Sequence, residues 1–311
     1  MSAFSSWDPV TFTMVTYIVL GILTLIIAVP LLWVILSDSD RRARKEFVVI
    51  VCASLIDISY IFVNVFNSIW RLTADPASVP RLQCISKPHI FLSVVEAALI
   101  AIMPLAVALD RLIVSVHGVW YYKQSSKYAF GLCAVPVLLS LALGIVNYIR
   151  IESGVSGTQP ISGYCYTSGL VDPTFQDFFY FFKWGCILAS LLVYLAVTYL
   201  YKNSINFSMV PADSRTKIRS GYTVLGCITL NCVLLLLAPD VLLRYCPNKS
   251  LTLMTFLFSL IMIKLLFNMI LIVVFHKELR EAYWSMVRKL FKKGPHATNV
   301  ISVSIVQESR V

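Results

Sequence analysis

The chain is poor in charge: only 14% of its 311 residues are Asp, Glu, Lys or Arg, against about a quarter in ordinary globular chains. With 58% hydrophobic residues and a mean hydropathy of +0.79, that scarcity excludes a soluble protein and a disordered one, because such apolar runs cannot stay solvated. A purely electrostatic nucleic-acid binder is excluded on the same ground. Histidine is rare, four in all and scattered; His89 and His117 read as surface groups. There is no metal-ligand cluster, no Gly-rich phosphate loop and no hydrophilic loop large enough for a catalytic domain, which argues against an enzyme and against a cofactor. Internal repeats are not visible.

What remains is lipid-soluble helix. Seven apolar stretches, at about residues 13–36, 47–71, 85–115, 128–151, 175–201, 218–244 and 251–275, each exceed the roughly 20 residues that a helix needs to cross the hydrocarbon core. The first has no basic residue ahead of it and is too long for a signal-peptide core, so it reads as a retained span. The net charge of +10 is distributed in alternation: segments 37–46, 116–127, 202–219 and 276–311 hold 17 Lys and Arg, whereas 1–12, 72–87, 152–174 and 245–250 hold 3. By the positive-inside rule the amino terminus is outside and the carboxyl terminus cytoplasmic, as an odd number of spans requires. The predicted fold is an all-α membrane protein: a seven-transmembrane bundle over 1–275, a short amphipathic membrane-surface helix over 276–293 and a flexible cytoplasmic tail over 294–311.

Eight cysteines form no disulfide scaffold. Cys52, Cys133, Cys186, Cys227 and Cys232 lie inside spans, where a thiol acts as a small apolar packing residue. Cys84, at the start of the third span, and Cys165, in the long outer loop, share the oxidising face; they form either one bridge or two free surface thiols. Cys246 is left over.

At the inner end of the third span runs Leu109-Asp110-Arg111-Leu112-Ile113-Val114-Ser115-Val116-His117-Gly118-Val119-Trp120-Tyr121. It resembles the DRY-x-x-V-H-P-x-x-Y signature of rhodopsin-like G-protein-coupled receptors, matched at Asp110, Arg111, His117 and Tyr121, with Leu112 for the tyrosine and Gly118 for the proline. Further landmarks are similar: Asp57 in the middle of span two, Pro239 in the outer half of span six, Asn268 in span seven followed by Lys277-Glu278-Leu279-Arg280. Departures are Met269 and Ile272 for the proline and tyrosine of span seven, no Trp in span four, no Pro in span five and Leu236 for the span-six tryptophan. This eroded pattern looks most like the divergent serpentine chemoreceptors of nematodes. The resemblance implies that Asp110 holds Arg111 at rest, that Asp110, Arg111 and Tyr121 serve G-protein coupling, that Pro239 is a hinge, and that Cys84 and Cys165 are bridged. It also implies an intramembrane switch of Asp57, Lys264, Asn268 and Pro239.

Intramembrane charge points to function, since an ionisable group in lipid is costly unless paired or facing a wet cavity. Asp57 and Lys264 lie at equal depth, about 15 to 17 Å from the inner ends of their helices at 1.5 Å per residue. They are expected to pair, with Asn268 nearby, in place of the sodium ion that such receptors hold there; Lys264 turned to Glu96, or neutral, is the alternative. Glu96, Lys183, Asp240 and Arg244 lie nearer the outer end and are expected to line a small-molecule pocket, unless Asp240 and Arg244 simply pair four residues apart.

Past span seven, His276 to Phe291 places Leu279, Tyr283, Met286, Val287 and Leu290 on one face with Lys and Arg opposite, a helix suited to anionic inner-leaflet lipid. It carries no cysteine for palmitoylation. The sequons at Asn206 and Asn248 are expected to stay bare, and Ser309-Arg310-Val311 fits a carboxyl-terminal ligand for a PDZ domain. The function expected is a plasma-membrane receptor that senses a small-molecule agonist, in a chemosensory role, and activates a heterotrimeric G protein. A seven-helix transporter is the alternative, although it should show related halves. A retinal photoreceptor is disfavoured, because Lys264 lies four residues before Asn268 where visual-type opsins have six, about 200° around the helix.

Overall fold

In the computed structural model, residues 9–203, 223, 226–245 and 251–292 are described. Seven helices are long and apolar enough to cross a membrane: α1 (Pro9–Leu36), α3 (Lys45–Thr73), α5 (Pro88–Val116), α7 (Ser126–Ser153), α8 (Pro173–Asn203), α9 (Gly226–Tyr245) and α10 (Leu251–Phe275). Short helices join them: α2 (Ser39–Ala43), α4 (Arg81–Ile85) and α6 (Gly118–Lys123), while α11 (Lys277–Lys292) follows the seventh span. The protein is thus an all-helical, multi-pass seven-helix membrane protein with a short helix after span seven, as its apolar runs dictate: in lipid only internal hydrogen bonding satisfies the backbone. Cys246, both sequons, the tail and the carboxyl-terminal triplet lie outside the described residues.

Span three is the axis of the bundle. Two thirds of its apolar window is buried, against a third to two fifths in spans one, two, four, five and six. Around it pack spans two, four and five, with one against seven on the far side. The outward faces carry Trp33, Phe62, Leu138 and Leu192, all at least 60% exposed; such a girdle would aggregate in water and is matched by lipid. Because lipid tails are as apolar as leucine, helices hold together through close packing. Two glycines permit it: Gly21 of span one lies against Val65 and Ile61 of span two, and Gly144 of span four against Val95 and Phe91 of span three.

One end of the bundle is capped. Strand β1 (Ser78–Pro80) pairs antiparallel with β2 (Pro160–Ser162), tying the loop after span two to the loop after span four. The sequence gives no alternation there strong enough to announce a three-residue ladder, and the stretch 152–174 reads as plain linker; it also contains two 3-10 turns. Cys84 is the second correction. It sits not on span three but on α4, a separate turn that Pro88 divides from the long helix by starting a new one. The opposite end carries the basic segments.

Prolines lie inside spans one, three and four as well, at Pro30, Pro104 and Pro136. In span six a π turn covers Val233–Leu237, where the Ala238 N–H donates to the Val233 carbonyl five residues back. Pro239 follows directly and offers no N–H to the Leu235 carbonyl, so the wide turn absorbs the mismatch.

Candidate functional site

Three polar constellations interrupt the apolar bundle. At mid-depth, Lys264 of span seven donates from Nζ to Asp57 Oδ1 of span two at 3.4 Å, and Asn268 Nδ2 donates to Asp57 Oδ2 at 3.2 Å. Lys264 is 2% exposed, so the pair is desolvated and its members depend on each other. The structure therefore brings Asp57, Lys264 and Asn268 together and leaves Glu96 out of the group. Sequence reasoning missed the fourth member: Asn231 of span six donates from Nδ2 to Asn268 Oδ1 at 2.8 Å and to the Lys264 carbonyl at 2.9 Å. An amide within an apolar run was the available signal. Asn231 stands just ahead of the π turn, so the network joins spans two and seven to the hinge of span six.

At the basic end, Asp110 is fully buried and the Arg111 Nε lies 3.4 Å from its Oδ2. The Tyr121 hydroxyl of α6 faces the same carboxylate. Lys45, at the start of span two, caps the Tyr121 carbonyl and lies 4.6 Å above its ring, and Tyr128 of span four meets that ring edge-on. Burial first, and then the Asp110 charge, push the Tyr121 phenol well up, so it stays a neutral donor. Asp110, Arg111 and Tyr121 thus form one closed cluster. Nearby, Arg44 bridges Glu46 and Glu278, and Leu279 of α11 is buried in the cluster that contains Phe47 and Met269, which fixes α11 to the bundle. His276 packs on Phe47, and burial lowers its imidazole from its ordinary value.

At the cap end, the charges expected to converge are divided. Lys183 pairs with Asp240 at 3.1 Å, and Trp184 Nε1 donates to the same Oδ2 at 2.8 Å. Arg244 pairs with Asp177, not with Asp240 four residues before it. Glu96 points elsewhere: its Oε1 accepts from Ser59 at 2.7 Å, and its buried Oε2 has no hydrogen bond among the described residues. Helix rotation decides this, since span three turns Glu96 toward span two while span five turns Lys183 toward span six. His89 is also no plain surface group; it is wedged between Phe66 and Trp70.

The cap itself is a polar staple. Cys84 and Cys165 are bridged, and both are fully buried. Arg71, near the end of span two, donates to the carbonyls of Tyr164 at 2.8 Å and Cys165 at 3.0 Å. Arg81 donates to Gly169 and Ser156, and Asn147 binds Leu170 and Asp172. Neither arginine was legible as a loop anchor, although both lie where basic residues are otherwise few. The chain matches no protein-family model and no curated protein sequence.

Proposed function

We propose that the protein is a G-protein-coupled receptor of the rhodopsin-like type, lodged in the plasma membrane with its amino terminus outside, that senses a small molecule in a chemosensory role. The observation that carries this reading is the closed cluster of Asp110, Arg111 and Tyr121 at the basic end of the central helix, where an arginine held by a buried carboxylate is poised to be released. The π turn and Pro239 give span six a hinge, and Asn231 links that hinge to the Asp57–Lys264 pair. Rotation of the basic half of span six would break both Asn231 bonds and loosen the midplane network. In this reading an agonist binds at the cap end, near Glu96 and the Lys183–Asp240 pair, and a heterotrimeric G protein binds at the basic end. In this reading the protein acts without catalysis or cofactor, and α11 rests on anionic lipid.

The test is agonist-dependent nucleotide exchange on a reconstituted G protein, screened across volatile and small water-soluble compounds. Exchange that is lost in Arg111→Gln at normal expression supports the reading. Substrate flux without exchange would favour a transporter.

A further inference from the structure

Four basic residues are buried among the described residues: Arg71, Arg81, Lys183 and Lys264. Three of them face a carboxylate. Lys264 has Asp57, Lys183 has Asp240, and Arg81 faces Asp172. Arg71 differs, because no carboxylate acts on it among the described residues; its electrostatic neighbours are Tyr17 of span one, Tyr166 of the cap and Tyr60 of its own helix, and its guanidinium lies 5.2 Å above the Tyr166 ring. A buried cation without a counter-charge is expensive, and the two loop carbonyls offset only part of that cost.

The donor geometry is specific. Arginine carries five N–H groups in a planar fork, and Arg71 commits the one on Nε and one on Nη2 to Tyr164 and Cys165. Three remain, including both on Nη1. The Tyr60 hydroxyl makes no hydrogen bond among the described residues, and Arg71 is one of the charges that act on it, after Tyr17, Asp240 and Glu96. Tyr17 donates its own proton to the Phe258 carbonyl at 3.1 Å. The free guanidinium edge matches the two oxygens of a carboxylate, the planar anion such a fork binds best, and the Tyr60 hydroxyl is a further donor on the same helix. Below it Tyr17 and Tyr60 belong to the main core with Ile61, Leu99 and Trp184, and the Asp240 and Glu96 carboxylates lie within electrostatic reach of Tyr60.

We propose that Arg71, helped by Tyr60, anchors the carboxylate of a small organic acid with an aromatic or aliphatic body, bound beneath the disulfide-tied cap. This rests on the receptor reading, for which it names the chemical class of the agonist. The ligand supplies the missing negative charge, and its body enters the apolar space between spans one, two and three.

The experiment uses the full chain, purified, and follows its thermal unfolding with benzoate, phenylacetate and hexanoate, each beside its neutral amide. The expected result is that at least one acid raises the midpoint while its amide does not, with half-saturation weakened about tenfold or more in Arg71→Gln. Equal shifts from acid and amide, an equal shift from sodium sulfate, no shift from any acid, or an unchanged half-saturation in Arg71→Gln overturns the proposal. Should Arg71→Gln fail to fold, Arg71→Lys and Tyr60→Phe decide: acid binding weakened in either supports the anchor, and binding unchanged in both overturns it. Nucleotide exchange separates the two readings. An acid that stabilises the protein through Arg71 but drives no exchange removes the receptor reading and leaves the anchor; exchange driven by neutral compounds alone removes the anchor and leaves the receptor.

Discussion

Lys264 lies in the most apolar setting a cation can occupy, and Asp57 is what makes that tolerable. Removing either partner leaves the other charged or forces it neutral, at a cost of about 3–5 kcal/mol, whereas removing both leaves shapes that pack. Asp57→Asn and Lys264→Met should therefore each depress surface expression and thermal stability more than the double variant does. A double-mutant cycle with additive losses would defeat the pairing. Since the ammonium already supplies the cation, agonist binding should also be insensitive to sodium. Cys165 is the other residue that carries an unusual burden: its φ of 50° places a non-glycine side chain in the left-handed region, held there by the bridge to Cys84 and by Arg71.

The loop between spans four and five behaves as an element in its own right, and Asp172 is its acid-labile joint. Burial raises its carboxyl, but hydrogen bonds from Ser156 and from the hydroxyl and backbone of Thr174 outweigh that and hold it below its ordinary value. A depressed folded value means the stabilisation is present above the unfolded value of about 3.9 and is lost as the pH falls through the lower folded one. Protection of the amides of residues 160–172 from exchange, taken relative to the intrinsic rate at each pH, should accordingly fall below about pH 4 and stay level between 5 and 8. Asp172→Asn should flatten that dependence and loosen the cap at neutral pH by about 1–3 kcal/mol. Span six offers a contrasting test. Pro239→Ala returns an N–H to the Leu235 carbonyl and removes the reason for the π turn. Expression and thermal stability should hold or rise while agonist-driven exchange falls, since a straightened helix has no hinge; unchanged exchange would show that the turn is no hinge.

For the molecule as a whole, the alternation of basic and charge-poor segments predicts orientation. A tag at the amino terminus should be reached by antibody on intact cells, and one at the carboxyl terminus only after permeabilisation. The reverse pattern would place Asp110 and Arg111 outside and end the coupling proposal. The same alternation explains why the two polar ends differ in kind. The basic end has a buried carboxylate, Asp110, with Arg111 of α5 and Tyr121 of α6 against it. The cap end is stapled by a disulfide, a short ladder and two arginines.

Length and hydropathy determine by themselves how many spans there are, because a span is a local property: about 20 apolar residues in a row must become a helix in lipid whatever lies beside them. Depth is local too, so counting residues from the helix ends was enough to bring Asp57 level with Lys264. Azimuth is not local. Which way a helix turns its side chains depends on its neighbours, on irregular turns such as the one ahead of Pro239, and on close approaches such as Gly144 against Val95. For that reason only the tertiary structure could give Lys183 to Asp240, turn Glu96 to Ser59, add Asn231 to the midplane network and leave Arg71 with tyrosines where a carboxylate was to be expected. The cap was equally out of reach, since a ladder that pairs Ser78–Pro80 with Pro160–Ser162 arises from chain closure, which no local pattern encodes.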